Sequence, residues 1–542
     1  MQTVGSVGPK EEANPLLTSP LVPKWVQEAV SEQPWRGALE APKECSYAVD
    51  PSAIKGTVPE ELRGTMYRAG PGRIRIGDHK FGHWFDGDGM VYAVSFNGPG
   101  GAVSYRNRWM LTDRYKKQER SGKDEIVGKA VWTESSGGWL ANLGPPGNPS
   151  NTSVRAFDHK VLALSEGGPP LEINPQTLDT LGTVDYTPSF FSAHPKIDPD
   201  TKILYNVGIG RDWFRIFALD LYSLAPDGKA LSKGRVALDE PTFVHDFAIS
   251  ENYLVVVITP HLSKPVNLIK AVAGLTTFGA TFEYQSALGS RIVVARKSDM
   301  SVVADVRMPA FATFHYANAY EEHGKLHVLV NRLNGPRENL EDTFKDMYAR
   351  GWNWDTYHSL WELALDTKTW TLESDRPAVR SPRSGKPAAT FGMEYPQINQ
   401  AYTGRKTRYV YVAACSTAGR LEGPRQGVHL GQSFGGVKRE EGSGRDGVHY
   451  FDCIQKYDLE TGTVETNLLG EGLEPSEVEF VPRKGAVGED DGYLISFVYN
   501  NKKHTTDVVV LDATRVGDPP VCVVHLPTHV ALTFHGNFVP SA

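Results

Sequence analysis

The sequence is poor in cysteine, has no basic excess and holds no long apolar run, and each absence excludes something. Its four cysteines, Cys45, Cys415, Cys453 and Cys522, show no CxxC spacing. That excludes a disulfide framework and a thiolate zinc site, and it fits a reducing compartment. A formal charge of −7 and a pI near 6.2 leave no footprint for nucleic acid as a partner. No stretch reaches the ~18–20 apolar residues of a transmembrane segment. The N-terminus, MQTVGSVGPKEEANP, lacks the basic-then-apolar build of a signal peptide. G-x-S-x-G and other acid–base motifs are missing too, so no protein nucleophile suggests itself. The expectation is a cytoplasmic protein, peripheral on membranes if it meets them, with a plastid location left open.

What is present reads as β-structure. Residues 1–20 form a loose tail, and residues 21–542 a single domain. A helix over Lys24–Glu40 would carry Trp25, Val26, Ala29, Val30 and Trp35 as an apolar stripe, turned either to its own core or to a membrane. The glycines of FDGDGM (Phe85–Met90) predict a turn with positive-φ positions. Its acids, Asp86 and Asp88, lack the further oxygen ligands of a calcium site. From residue 90 onward short strands alternate with turn clusters, among them Lys160–Leu164, Leu254–Thr259, Leu326–Asn331, Tyr409–Ala414, Tyr493–Tyr499 and Asp507–Asp512. Hairpin-like phrases recur between them: INPQTLDTLG, LDLYSLAPDGKAL, ARKSDMSVVADV, LDTKTWTLE and YDLETGTVETN. So many short strands must close their edges, and a propeller does so by radial repetition around an axis. One stretch departs from this pattern. Lys264–Tyr284 is apolar, with a short helix around Val266–Leu275. It is either core or a surface at the mouth of a site, where Leu268, Val272, Leu275 and Phe278 would meet a membrane.

Four of the sixteen histidines stand in distinctive company: His194 in SAHPKIDPD, His245 in FVHDFAIS, His315 in FATFHYANAYEE and His535 in FHGNFVP. They are far apart in sequence, so a metal site built from them must gather separate strands, which a propeller axis allows. Imidazole suits iron, zinc, copper and nickel alike.

Taken together, HWFDGDGM, the four histidine contexts, LALSEGG around Glu166, MEYPQIN around Glu394 and PSEVEFVPR around Glu477 resemble the carotenoid cleavage oxygenase family. The motifs run in family order from about residue 55 to the C-terminus. The resemblance implies a seven-bladed β-propeller with a helical and loop cap over the axial metal site. There one Fe(II) would be held by His194, His245, His315 and His535, the catalytic centre. Glu166, Glu394 and Glu477 would orient His245, His315 and His535 respectively. Thr152 would stand near an open iron position, with Phe243, Phe314 and Ser165 along a substrate tunnel. The implied reaction is cleavage of a C=C bond of a carotenoid or apocarotenoid by O₂, giving two carbonyl products. The alternative within the family is a stilbene-type alkene-cleaving dioxygenase. Relatives of that kind carry a Lys where this chain has Ser165, which counts against a phenolic stilbene without excluding it, and the PDPC motif of retinoid isomerohydrolases is missing. A propeller without chemistry would have no use for buried carboxylates, which are costly unless paired.

Overall fold

The computed structural model describes residues 14–541 except 98–100, 167, 187–190, 210–216, 335–356, 380–390 and 416–450. Seven antiparallel sheets form the blades of a β-propeller. Five consecutive blades have four strands each in simple up-and-down order, from the strand Ser153–Phe157 through to Val464–Leu468. Antiparallel neighbours need only short turns, and the phrases noted in the sequence are those turns. Each links the third and fourth strands of its blade, as between Leu171–Ile173 and Thr180–Thr183 or between Tyr357–Asp366 and Leu372–Pro377. A left-handed residue closes each turn: Leu178, Gly228, Met300, Trp370 and Gly462.

The remaining two blades close the ring from both ends of the chain. The C-terminal strand Gly536–Pro540 pairs with Arg63–Arg73, while the early strand Ile54–Gly56 pairs with Cys522–Leu526 near the C-terminus. Strands from the two ends of the chain are thus hydrogen-bonded into shared sheets, which closes the ring. Between adjacent sheets lie separate apolar layers, such as Val255, Ile292 and Val294 against Val328, Val330 and Leu363.

Several expectations are corrected. Residues 14–20, read as part of a loose tail, contain the helix Pro15–Thr18, capped by Asn14, with Leu16 buried against Val26 and Val30. The next helix ends at Glu32, because Pro34 cannot continue it, and a 3₁₀ segment Pro34–Leu39 follows. Trp35 is buried beside Trp84 and Phe534, so it offers nothing to a membrane. The glycines of FDGDGM are required for space and not for φ. Gly87 has φ −55°, and a Cβ there would stand 2.6 Å from Cβ of Pro71. A Cβ on Gly89 would stand 2.6 Å from the Pro149 carbonyl oxygen and collide with that of Ser150. Asp86 accepts from the Val131 and Trp132 amides and Thr133 Oγ1, while Asp88 pairs with Arg73 and Arg114. Both acids are therefore occupied structurally.

Gly89→Ala should lower the unfolding free energy by about 1–3 kcal/mol through overpacking against fixed backbone. An unchanged urea midpoint would show that the strand yields there at no cost.

Candidate metal centre

One strand of each blade borders the axis, and each carries one residue of the centre at or just before it. In chain order these are Thr152, His194, His245, His315, Glu394, Glu477 and His535. Glu166 follows the second strand of its blade, Lys160–Leu164. Local irregularity aims the side chains. The ladder of Ala312–Glu322 skips from Thr313 to Tyr316 and again from Tyr316 to Asn318, so Phe314 and His315 are released from regular pairing, as at a β-bulge. The strand Phe391–Gln397 slips on both sides of Glu394, and Tyr395 has φ +58°. A left-handed aromatic residue is costly, and such strain clusters at functional sites. The Tyr395 ring lies 5.6 Å from that of His315 and 5.3 Å from that of His535.

The four imidazoles meet through Nε2. His194 and His245 are 2.9 Å apart at these atoms, His245 and His315 3.1 Å, and His315 and His535 3.1 Å. All four ligating atoms lie within 4.8 Å of one another. Three carboxylates hold the outer nitrogens. Glu394 Oε2 accepts from His315 Nδ1 at 2.6 Å and Glu477 Oε1 from His535 Nδ1 at 2.8 Å. Glu166 Oε1 is 2.8 Å from His245 Nδ1 but lies off the N–H direction, so this contact is a charge contact without an aligned hydrogen bond.

The two aligned bonds fix the tautomers of His315 and His535, and the Glu166 carboxylate beside Nδ1 favours the same tautomer for His245. With the proton on Nδ1, Nε2 presents a lone pair to the centre. Lone pairs about 3 Å apart repel unless a proton or a cation sits among them. The donor set therefore fits a metal ion that accepts imidazole. Burial lowers the pKa of His194 far below its ordinary value, and burial takes His535 down to about 4 against the pull of Glu477. Burial also opposes charge on His315, but Glu394 outweighs it and raises that pKa. The field that favours a proton there favours a metal ion equally.

Environment sorts the carboxyls. Burial alone would raise Glu477, yet His535 and Arg68 bring it down to about 2. Arg68, fully buried, binds both the Glu477 carboxylate and its carbonyl oxygen, and Gln397 Nε2 adds a bond of 2.6 Å. Three residues away, Glu474 accepts from a single side chain among the described residues, Asn501 Nδ2 at 2.7 Å, and burial pushes its pKa up to about 8.

Two cavities reach the histidines. One of about 690 Å³, within the range of ligand sites, is walled by Trp84, Phe85, Trp132, Phe243, Phe282 and Phe314 and ends on His245, His315, His535 and Thr152. Ser165 and Glu166 border it, and Ser165 Oγ donates to Asn148 Oδ1 at 2.6 Å. The other, about 530 Å³, follows the axis past Arg155, Gln397 and Asn537 to His194, His315 and His535. Thr152 is pinned by its backbone, donating to the Leu164 carbonyl at 2.9 Å and accepting from the His535 amide at 3.1 Å.

The structure thus brings together every site residue read from the sequence. Arg68, Gln397 and His358 were missed. His358 donates to Glu394 Oε1 at 2.9 Å, and its context YHSLWELALD reads only as an ordinary strand. Tyr395 stands inside MEYPQIN, but nothing in that motif betrays its backbone conformation.

Fold and centre together define an oxygenase propeller. Residues 39–540 match the family described as retinal pigment epithelial membrane protein, RPE65, and the chain belongs to this carotenoid cleavage oxygenase family. Among its relatives, the apocarotenoid-15,15′-oxygenase of Synechocystis sp. is 29% identical, over 96% of this chain and 99% of that protein. The carotenoid 9,10(9′,10′)-cleavage dioxygenase 1 of Phaseolus vulgaris is 28% identical over 90% and 86% of the two chains. The solved structure of cobalt-substituted Synechocystis apocarotenoid oxygenase superposes with a TM-score of 0.78 at 27% identity, covering 94% of this chain and 98% of that one.

The contrast between Glu474 and Glu477 makes a pH prediction. A carboxyl whose folded pKa is raised favours the folded state while protonated, and that contribution is lost as pH climbs from its unfolded value, about 4.3, toward 8. Glu474→Gln should therefore flatten the decline in urea midpoint between pH 5 and pH 8. An identical slope in wild type and variant would show that Glu474 ionises freely in the fold.

Proposed function

We propose that His194, His245, His315 and His535 hold one Fe(II), and that the protein cleaves a C=C bond of a carotenoid or apocarotenoid with O₂. The alkene carbons each take one oxygen atom, so one C=C becomes two C=O groups and O₂ is consumed whole. The observation that carries this reading is the convergence of inward-facing Nε2 atoms on an aromatic-walled cavity of about 690 Å³. Four neutral imidazoles leave the charge of a ferrous ion uncancelled, and such iron, when bound, activates O₂ toward the alkene.

The protein's own groups do the rest. Glu166, Glu394 and Glu477 keep protons on the outer nitrogens. Phe243, with its ring 5.9 Å from that of His245, and Phe314, at 5.6 Å, press a flat apolar substrate toward the centre and exclude water. The Thr152 side chain limits what approaches beside His535. With Ser165 bonded to Asn148 and no Lys or Arg among the described residues of the cavity wall, those residues offer a phenolic stilbene no charged grip, which favours the polyene.

An apolar polyene has to come from a membrane or a carrier, and each CH₂-sized unit favours the apolar phase by ~0.8 kcal/mol. No described helix is long and apolar enough to cross a membrane. The docking surface we propose combines two segments at the cavity mouth, the helix Pro265–Val272 and the 3₁₀ turn Trp139–Asn142. Trp139 Nε1 donates to the Ala273 carbonyl at 2.6 Å, joining them. Val266 and Ile269 on the helix with Leu275 just past it, and Trp139 and Leu140 on the turn with Leu143 just past it, are exposed, Leu275 by 67% and Leu140 by 72%. This revises the residues expected from sequence. Leu268 is buried and Phe278 half-buried, and both border the cavity.

Two outcomes test the proposal. Protein loaded anaerobically should hold close to one iron per chain and convert carotenoids or apocarotenals to aldehydes identifiable by mass spectrometry. Alanine at any of the four histidines should abolish turnover, and full turnover with stoichiometric zinc would refute the redox reading. Separately, Leu140→Ser with Leu275→Ser should reduce liposome binding while leaving the melting temperature within a degree or two. Undiminished liposome binding would reject this docking surface.

A further inference from the structure

Among the described residues, Glu394 is the carboxylate of the centre that takes two imidazoles. Its Oε2 accepts from His315 Nδ1 at 2.6 Å and from the Tyr395 amide at 2.9 Å, and its Oε1 accepts from His358 Nδ1 at 2.9 Å. His358 is 2% exposed and lies in Tyr357–Asp366, the third strand of the blade whose axial strand bears His315. Glu394 belongs to the next blade. The row His315–Glu394–His358 therefore crosses the seam between two blades twice.

A carboxylate bonded only through Oε2 can turn about its terminal torsion, which is broad and roughly two-fold. A donor on Oε1 sets the carboxylate plane, and with it the angle at which Oε2 meets the His315 ring. Glu477 has this second hold from Arg68, a fixed cation. For Glu394 the second hold is an imidazole N–H.

We propose that His358 is a positioning residue for the metal centre: it locks the Glu394 carboxylate and thereby fixes the tautomer and ring angle of His315. The inference rests on the metal reading given above. The competing account is that His358 merely satisfies a buried carboxylate, contributing to stability and nothing else.

Cobalt(II) separates the two, because its visible absorption reports the ligand field without any turnover. Metal-free full-length protein would be titrated anaerobically with Co²⁺, following the visible bands and the dissociation constant, with melting temperatures measured alongside. His358→Phe, which removes the donor, should weaken cobalt binding roughly tenfold, the lower end of what partners of metal-bound histidine contribute, and shift the bands. His358→Asn, which keeps a donor at the δ position, should restore most of both. A His358→Phe protein with wild-type affinity and spectrum overturns the inference, even if it melts earlier. If that variant does not fold, His358→Gln replaces it, with its donor one bond farther out. Weaker binding than in His358→Asn is then expected, and affinities equal to wild type in both overturn the inference. Wild-type protein that takes up no cobalt would instead remove the metal reading itself.

Discussion

The organising constraint is the need to keep protons off the inner nitrogens of closely spaced imidazoles. Nε2 atoms at 2.9–3.1 Å can point at one centre only if each proton is held on Nδ1. Carboxylates do this for His245, His315 and His535, but burying anions is costly unless each is paired. The pairing propagates outward. Arg68 answers Glu477, while Asp246, beside His245, binds Lys196 at 2.8 Å and the Tyr316 amide at 3.0 Å. A centre with no charged side chain among its inner four thus dictates a charged collar around it.

The propeller is what makes the collar buildable. Its blades present strand ends to a common axis, so residues hundreds of positions apart converge without a long loop. The two-ended closure, with Gly536–Pro540 seated beside Arg63–Arg73, matters directly, because His535 immediately precedes that strand. A chain that failed to close there would lose a histidine from the centre and also Arg68, which lies on the partner strand.

The sequence exposed repetition and the centre better than it exposed the support. Strand–turn phrases recur because every four-stranded blade solves the same turn, so the all-β character was readable, while the number of blades came from the family resemblance. The histidines were recognisable by context, since bulges and axis-facing strands leave distinctive neighbours. What stayed hidden depends on tertiary proximity alone. Gly87 and Gly89 look like turn residues, but their reason is close packing, by the Pro71 ring and the Arg73 carbonyl on Gly87 and by the Pro149 and Ser150 carbonyls on Gly89. The Lys264–Tyr284 stretch is apolar with few charges, so its pattern could not say that Leu268 lines the cavity while Ile269 is exposed. His358 sits in an ordinary strand, and only the fold brings it to Glu394.

The central claim, that four imidazoles surround one metal ion, is tested most directly by X-ray absorption at the iron edge of anaerobically loaded protein. The account predicts a nearest shell dominated by nitrogen, with the outer-shell scattering of four imidazole rings and no sulfur. A shell fitted by one or two imidazoles with mainly oxygen neighbours would place the iron elsewhere and contradict the account.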